Sequence, residues 1–164
     1  TTIANKNLGN RFIHGYSIDG FSYFSRSLKL NGSLSYVKGD ENETYGPMPS
    51  ISPIFGTISG EYTKDKIKIS ALYKFSGDKS PKDYSLGGED GLEETPLINE
   101  NSDVIRYAGT PKWSDFSIYT NYDISEDVKI RIALTNIFDN HYRTFASGIS
   151  APGRSFQIGL YLKL

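Results

Sequence analysis

Apolar and polar residues alternate along most of this chain. In Phe156-Gln157-Ile158-Gly159-Leu160-Tyr161-Leu162-Lys163-Leu164 every even position is apolar, and the odd ones are Gln, Gly, Tyr and Lys. Successive side chains of a strand point to opposite faces, so this segment reads as a strand with one greasy face. Val128, Ile130, Ile132 and Leu134 alternate in the same way with Lys129, Arg131, Ala133 and Thr135. Phe116, Ile118, Thr120, Tyr122 and Ile124 oppose Ser117, Tyr119, Asn121 and Asp123. Ile67, Ile69, Ala71, Tyr73 and Phe75 form a further face, and Leu28, Leu30, Gly32, Leu34 and Tyr36 another. Ile54, Ile58 and Tyr62 carry a weaker version. The first strand, roughly 12–25, is the least regular, because Phe21 and Tyr23 fall on its polar side. No stripe of helical period stands out.

The expected fold is therefore all-β: an antiparallel up-and-down meander of about seven long strands. Strands in ordinary globular proteins have a mode of about five to six residues, whereas a tilted strand crossing a bilayer needs about nine to eleven. Most of these runs have the longer length. Connection lengths add an independent pattern. Short turns are expected near 25–27, 63–66 and 125–127, and long connections over 39–52, 77–111 and 139–152. Short and long alternate, as in outer-membrane barrels, whose periplasmic turns are short and extracellular loops long.

The polar side of these strands carries Lys29, Lys68, Lys74, Asn121, Asp123, Lys129, Arg131 and Lys163. The opposite rows of Leu, Ile, Phe and Tyr need cover, and no second sheet or helix is left in the sequence to supply it. Lipid is the most economical partner, and the polar side then lines a lumen. Single-chain bacterial barrels have even strand numbers, and seven strands cannot close around a transporter lumen. The whole of 1–164 is expected to be one segment of a longer transmembrane β-barrel. Two alternatives make different predictions. A soluble β-sandwich that binds carbohydrate through its loops would bury Leu28, Leu30, Ile67, Ile69, Ile130, Leu160 and Leu162 between two sheets. A complete eight-stranded barrel, serving as adhesin or enzyme, would draw an extra strand from 1–10 and pair its first strand with its last.

Composition fits the membrane reading. The chain has 164 residues, a formal charge of −1, no cysteine, twelve Tyr and nine Phe, and a mean hydropathy of −0.43. A charge balance so close to neutral argues against nucleic acid as a partner. The absence of cysteine excludes disulfides, zinc–thiolate sites and thiol catalysis. No apolar run is long enough for a spanning helix, and no signal-peptide pattern opens the sequence, which leaves a β-barrel open. The long connections are acidic and Gly-rich, notably Gly87-Gly88-Glu89-Asp90-Gly91-Leu92-Glu93-Glu94, and are expected to face solvent. The connection over 77–111 is far above the usual loop length, which suggests function or disorder.

Catalytic chemistry finds little support. Gly148-Ile149-Ser150-Ala151-Pro152 begins like a nucleophile elbow but has Pro where the last Gly belongs. His14 and His141 are the two histidines, and neither lies in a metal-binding motif. Asp40-Glu41-Asn42-Glu43 lacks the Gly and terminal Glu of a calcium loop. The expectation is a non-enzyme with no cofactor and no metal.

One resemblance is specific. Leu134-Thr135-Asn136-Ile137-Phe138-Asp139-Asn140-His141-Tyr142, then Ala151-Pro152-Gly153-Arg154, then an alternating strand, resembles the C-terminal signature of TonB-dependent outer-membrane receptors. Met48-Pro49-Ser50-Ile51-Ser52-Pro53-Ile54-Phe55-Gly56 resembles a loop-to-strand segment of that family, and Asn7 to Asp19 resembles one of its strands, with Ser17 where the family usually has Glu. The resemblance implies a bacterial outer-membrane receptor for energy-dependent uptake of a scarce nutrient such as a ferric siderophore, haem or cobalamin. It implies, beyond the chain, a plug, further strands and coupling to TonB, with the barrel-assembly machinery meeting the last strand. This segment would supply barrel wall and extracellular loops, with Tyr45, Tyr84, Arg106, Tyr107 and Arg143 as candidate contacts to an unknown small molecule, since aromatic and Arg side chains suit such ligands. Asn136, Phe138, Asp139, Tyr142, Gly153 and Arg154 would be structural. Phe138, Tyr142 and Phe156 are expected as interfacial anchors, and Arg154 is expected to pair with Asp139 across the rim of its hairpin.

Overall fold

The computed structural model describes residues 10–42, 46–98 and 104–163. Seven strands form one antiparallel sheet in chain order: β1 (Ile13–Tyr23), β2 (Leu28–Gly39), β3 (Phe55–Lys64), β4 (Ile67–Ser76), β5 (Trp113–Asp123), β6 (Val128–Thr135) and β7 (Ser155–Leu162). The meander is as the alternation predicts, although β5 begins three residues earlier than its apolar row, at Trp113.

Register is what turns separate amphipathic strands into one amphipathic wall. Tyr16 lies opposite Tyr36, Leu34 opposite Gly56, Ile58 opposite Tyr73, Ala71 opposite Ile118, Ile118 opposite Leu134, and Ile132 opposite Ile158. Directly paired residues share a face, and a slip of one position would turn a whole strand's apolar set around. Here every long strand keeps the same parity, so the apolar rows merge. Phe75 spreads its ring over the place that a side chain on Gly56 would take. The merged face is uncovered: Ile158 is 68% and Leu160 62% exposed. A second sheet large enough to cover it, which the sandwich alternative needs, is not present among the described residues. Beyond the seven strands there is a ladder of Glu41–Asn42 with Gly46–Pro47. The eight-stranded alternative turns on an extra strand from 1–10, and 1–9 lie outside the described residues; among the described strands β1 and β7 are the two edges of the sheet and do not pair.

The opposite face is held by polar cross-strand contacts. Ser17 bonds Ser35 (2.9 Å), Ser33 bonds Thr57 (2.7 Å), and Asn31 donates to Ser59 (3.2 Å). Lys68 pairs with Glu61, Lys74 with Asp115 (3.5 Å) and Lys129 with Asp123 (3.2 Å). Phe21 and Tyr23, the irregular pair of β1, sit on this face under Lys29, whose Nζ lies 4.7 Å and 5.9 Å from their ring centres. A cation over two ring faces lets aromatic side chains stay on a polar surface.

The two ends of the sheet differ. At one end are three tight turns. In the first and third, Ser25 and Ser125 accept backbone N–H groups of the turn: Ser27 and Leu28 for Ser25, Asp127 for Ser125. Asp65, in the middle turn, has a φ of 49°, a left-handed conformation that Asp tolerates. At the other end emerge the long connections: loop A (40–54), loop B (77–112) and loop C (136–154).

Candidate functional site

Among the described residues, the loop end contains most of the buried ones, and nearly all of these are polar. Two clusters organise it. The first centres on Lys79 and Asp90, which are 5% and 2% exposed. Their ion pair is 3.0 Å long, and Lys79 Nζ also donates to the carbonyl of Ile51 in loop A (2.6 Å). The other Asp90 oxygen accepts the backbone N–H of Ser50 (2.7 Å). The lysine lies 4.1 Å from the Phe145 ring centre of loop C and 5.0 Å from that of Tyr84. Tyr84 shares a 2.6 Å hydroxyl hydrogen bond with Thr110, and burial raises its pKa. Lys79 and Thr110 exchange both backbone hydrogen bonds. Gly109 makes that approach possible: its φ is 76°, and a side chain there would strike the Lys79 carbonyl.

Asp90 comes from the acidic run expected to face solvent. That expectation is corrected for this residue, because a buried ammonium and a buried backbone N–H both need its carboxylate. The described part of loop B is tied together by backbone pairing, with bridges from Lys79 to Thr110 and from Leu97 to Tyr107 and two single-turn helices between them.

The second cluster is built by the family-like motif. Asn136 is buried at a φ of 47°; its Nδ2 donates to the carbonyls of Asn140 (2.9 Å) and Pro152 (3.1 Å), and its Oδ1 accepts the Asn140 N–H (3.0 Å). One amide thus closes the start of loop C against its end. Ser117 Oγ accepts the Asn136 N–H and donates to Asp115, and Asp115 also accepts the hydroxyl of Tyr142 (2.8 Å). Burial, then the Asp115 carboxylate, push the Tyr142 pKa up to about 12. Tyr142 stacks on Trp113 at 4.3 Å, so it lies on the polar side rather than serving as an interfacial anchor. The reason is that Asp115 and Trp113 give its hydroxyl and its ring better partners than the rim does. Phe138, by contrast, is exposed and stacks on Phe116 of the apolar face, and Phe156 is exposed on that face too. The Arg154–Asp139 ion pair is corrected as well: Asp139 Oδ1 accepts the backbone N–H of Arg154 (2.7 Å), not its guanidinium. Asp139 takes a φ of 55°, and Gly153 lies against the same carboxylate oxygen.

Between loops B and C runs a cleft of about 320 Å³, lined by Glu94, Lys112, Trp113, His141, Tyr142 and Arg143 among others. Arg143 is strapped to loop B by a 2.6 Å bond from Nη1 to the Glu94 carbonyl, which leaves most of its guanidinium donors unused. The indole N–H of Trp113 is buried without a hydrogen-bond partner, alone in this among the side chains of the described residues. Of the five ligand candidates read from sequence, Arg143 lines this cleft. Tyr84 is packed inside the Lys79 cluster, its hydroxyl taken by Thr110. Arg106 is exposed and Tyr107 half-buried on the hairpin arm opposite Leu97, away from the cleft lining. Tyr45 lies outside the described residues. Lys79, Asp90, Trp113 and Lys112 were not singled out by sequence. Trp113 had one available signal, as the chain's single tryptophan beside Pro111-Lys112 at a strand entry. Among the described residues no group of His, Asp and Glu is placed to hold a metal ion.

No family model matches the sequence, and no curated protein matches it. Solved structures do. The chain is similar to the copper transporter OprC (TM-score 0.69, 17% identity, 93% of this chain and 23% of that one). It is similar to a mutant ferric enterobactin receptor, PfeA, from Pseudomonas aeruginosa (TM-score 0.67, 18% identity, 92% and 22%). It also matches the closed form of the ferric-catecholate import receptor Fiu from E. coli (TM-score 0.63, 15% identity, 93% and 21%). The chain spans less than a quarter of the length of each of these structures. All three are TonB-dependent receptors. A continuous meander, one apolar face and segregated loops, together with these likenesses, identify the fold as that of a section of a TonB-dependent receptor β-barrel.

Proposed function

We propose that this chain is wall and loop end of an outer-membrane uptake receptor, with the remaining strands, a plug and TonB coupling supplied by sequence outside 1–164. The observation that carries the reading is the single uncovered apolar face, in register across seven strands, with the three long loops at one end. Acyl chains are its natural cover, and the polar face then looks into the barrel. The apolar-face segment needs no enzymatic chemistry, and the chain is proposed to have none.

We infer the cargo class from the cleft. Lys112, His141 and Arg143 line the cleft together with one carboxylate residue, Glu94, and the stacked Trp113 and Tyr142. That arrangement suits an anionic, ring-bearing ligand better than a bare metal ion. Soft metal ions favour thiolate and thioether ligands, and this section has no cysteine and one methionine. Among the similar structures, the two receptors for ferric catecholate and enterobactin set the better precedent for cargo than the copper transporter. The test is uptake of radiolabelled iron, as ferric enterobactin and as ferric citrate, by cells carrying or lacking the full-length gene. Loss of uptake of either chelate on deletion, and a several-fold loss with Arg143→Gln in the intact receptor, are expected. Unchanged uptake of both, with a protein extracted from cells without detergent, would overturn the reading.

A further inference from the structure

We propose that Lys79 and Asp90 are positioning residues that join loops A, B and C into one preformed wall, so that the loops do not close over the cleft as separate lids. The proposal rests on the receptor reading for its purpose, but its geometry stands independently of any cargo.

An ammonium has three donors and no acceptor, and buried it must be paired. Each loop supplies one part of the environment of Lys79. Loop A gives the Ile51 carbonyl at 2.6 Å, loop B the Asp90 carboxylate at 3.0 Å, and loop C the Phe145 ring at 4.1 Å. Asp90 repeats the link to loop A through the Ser50 N–H. Phe145 repeats the link to loop B by standing edge-on to Tyr84 at 6.0 Å. The lysine itself is fixed to the root of β5 by its paired backbone bonds with Thr110. If loop A or the Asp90 segment of loop B moves away alone, a charge or a backbone N–H loses its partner in a site closed to water, and if loop C moves away alone the ammonium loses the Phe145 ring beside it. Moving together keeps every contact.

The hub also borders the cleft directly. Asp90 precedes Gly91, and Phe145 stands between Thr144 and Ala146; Gly91, Thr144 and Ala146 all line it. The same ion pair that joins the loops therefore sets the spacing of the cleft's two walls. A wall held in this way binds without ordering flexible loops, which removes that entropic cost from association.

The experiment measures distances between nitroxide labels in the full-length receptor, purified in detergent without cargo. Labels go on Glu41→Cys in loop A, Leu86→Cys in loop B and Ile149→Cys in loop C, all exposed positions in a section with no native cysteine. Each of the three pairs is expected to give one narrow distribution. Lys79→Met and Asp90→Asn are each expected to broaden all three at once, by roughly two-fold or more, because each leaves a buried group unpaired. The double variant Lys79→Met with Asp90→Leu is expected to be narrower than either single. Arg143→Gln, which cuts a strap from loop C to loop B and leaves the hub in place, is expected to leave A–B unchanged and to broaden the pairs that include loop C far less than Lys79→Met does. A folded Lys79→Met receptor with wild-type A–C width, or with one loop loosened alone, overturns the proposal. Should Lys79→Met not fold, Phe145→Leu leaves the ion pair in place and is expected to loosen loop C against both others; wild-type widths there also overturn it. No cargo enters the measurement, so a failed uptake reading and a failed coupling proposal give separate results.

Discussion

The strand wall and the loop end of this chain follow opposite rules for what is covered. Along β1–β7 the large apolar side chains are open, among them Ile58, Ile132, Ile158 and Leu160, and the polar row behind them makes the cross-strand contacts. At the loop end the covered residues are Lys79, Asp90, Thr110 and Asn136, each satisfied by specific partners, often from a distant part of the chain. In the proposed membrane setting the wall needs only the right class of residue at every second position, since a bilayer accepts any apolar side chain. The loop end needs particular residues, because buried polar groups are stable only with fitting donors and acceptors. Broad tolerance within a rule belongs to the first region, and sensitivity to single atoms to the second.

The largest contrast is expected on the wall. Ile132→Arg in β6 should destabilise the full-length receptor in lipid vesicles by about 2–4 kcal/mol if the site is near the bilayer midplane. Its neighbour Arg131→Ala, on the other face, should stay within about 0.5 kcal/mol. Urea unfolding of both variants measures this. Equal effects would erase the distinction between the faces.

The loop end should show its sensitivity at Asn136. Asn136→Ala removes the donors to the Asn140 and Pro152 carbonyls and the acceptor for the Asn140 N–H. Buried groups left unsatisfied cost about 1–3 kcal/mol, so a loss of about 2 kcal/mol is expected by the same unfolding measurement. Arg154→Ala should cost much less, since its backbone, not its side chain, serves Asp139.

A smaller effect sharpens the same region. Tyr142→Phe keeps the stack on Trp113 and removes the bond to Asp115, at about 1 kcal/mol. Its pH dependence has a definite sign. The Tyr142 pKa is raised to about 12 in the folded protein against an ordinary value of 10, so the folded state holds that proton longer than the unfolded chain does. The contribution is intact below pH 10 and is lost as pH rises towards 12. Melting temperatures over that range should therefore fall less steeply in Tyr142→Phe than in the unaltered protein.

What could be read from sequence divides along the same line. Strand order, strand length and the shared apolar face followed from alternation, because successive side chains of a strand point to opposite faces whatever the rest of the chain does. β1 was irregular for a reason that alternation does not carry: Phe21 and Tyr23 are kept on the polar face by Lys29 of the next strand. At the loop end the decisive bonds join residues 28 and 40 positions apart, Lys79 to Ile51 and Ser50 to Asp90, and no local pattern announces them. Asp90 read as solvent-facing because its neighbours are Gly and Glu. Tyr142 read as an anchor because its sequence position resembles that of Phe138, while its partners, Asp115 and Trp113, lie on a strand that precedes it by a whole hairpin. Arg143 reached the cleft and Tyr84 did not, which side-chain type alone could not distinguish.

The central claim is that the merged apolar face meets acyl chains while its reverse meets water. A nitroxide scan along β4 in the full-length receptor, reconstituted in bilayers, tests it position by position. Labels at 67, 69, 71, 73 and 75 should be relaxed by oxygen, which concentrates in lipid, and labels at 68, 70, 72 and 74 by a water-soluble nickel chelate. Uniform accessibility, or a row at 67–75 shielded from both reagents, would contradict the account.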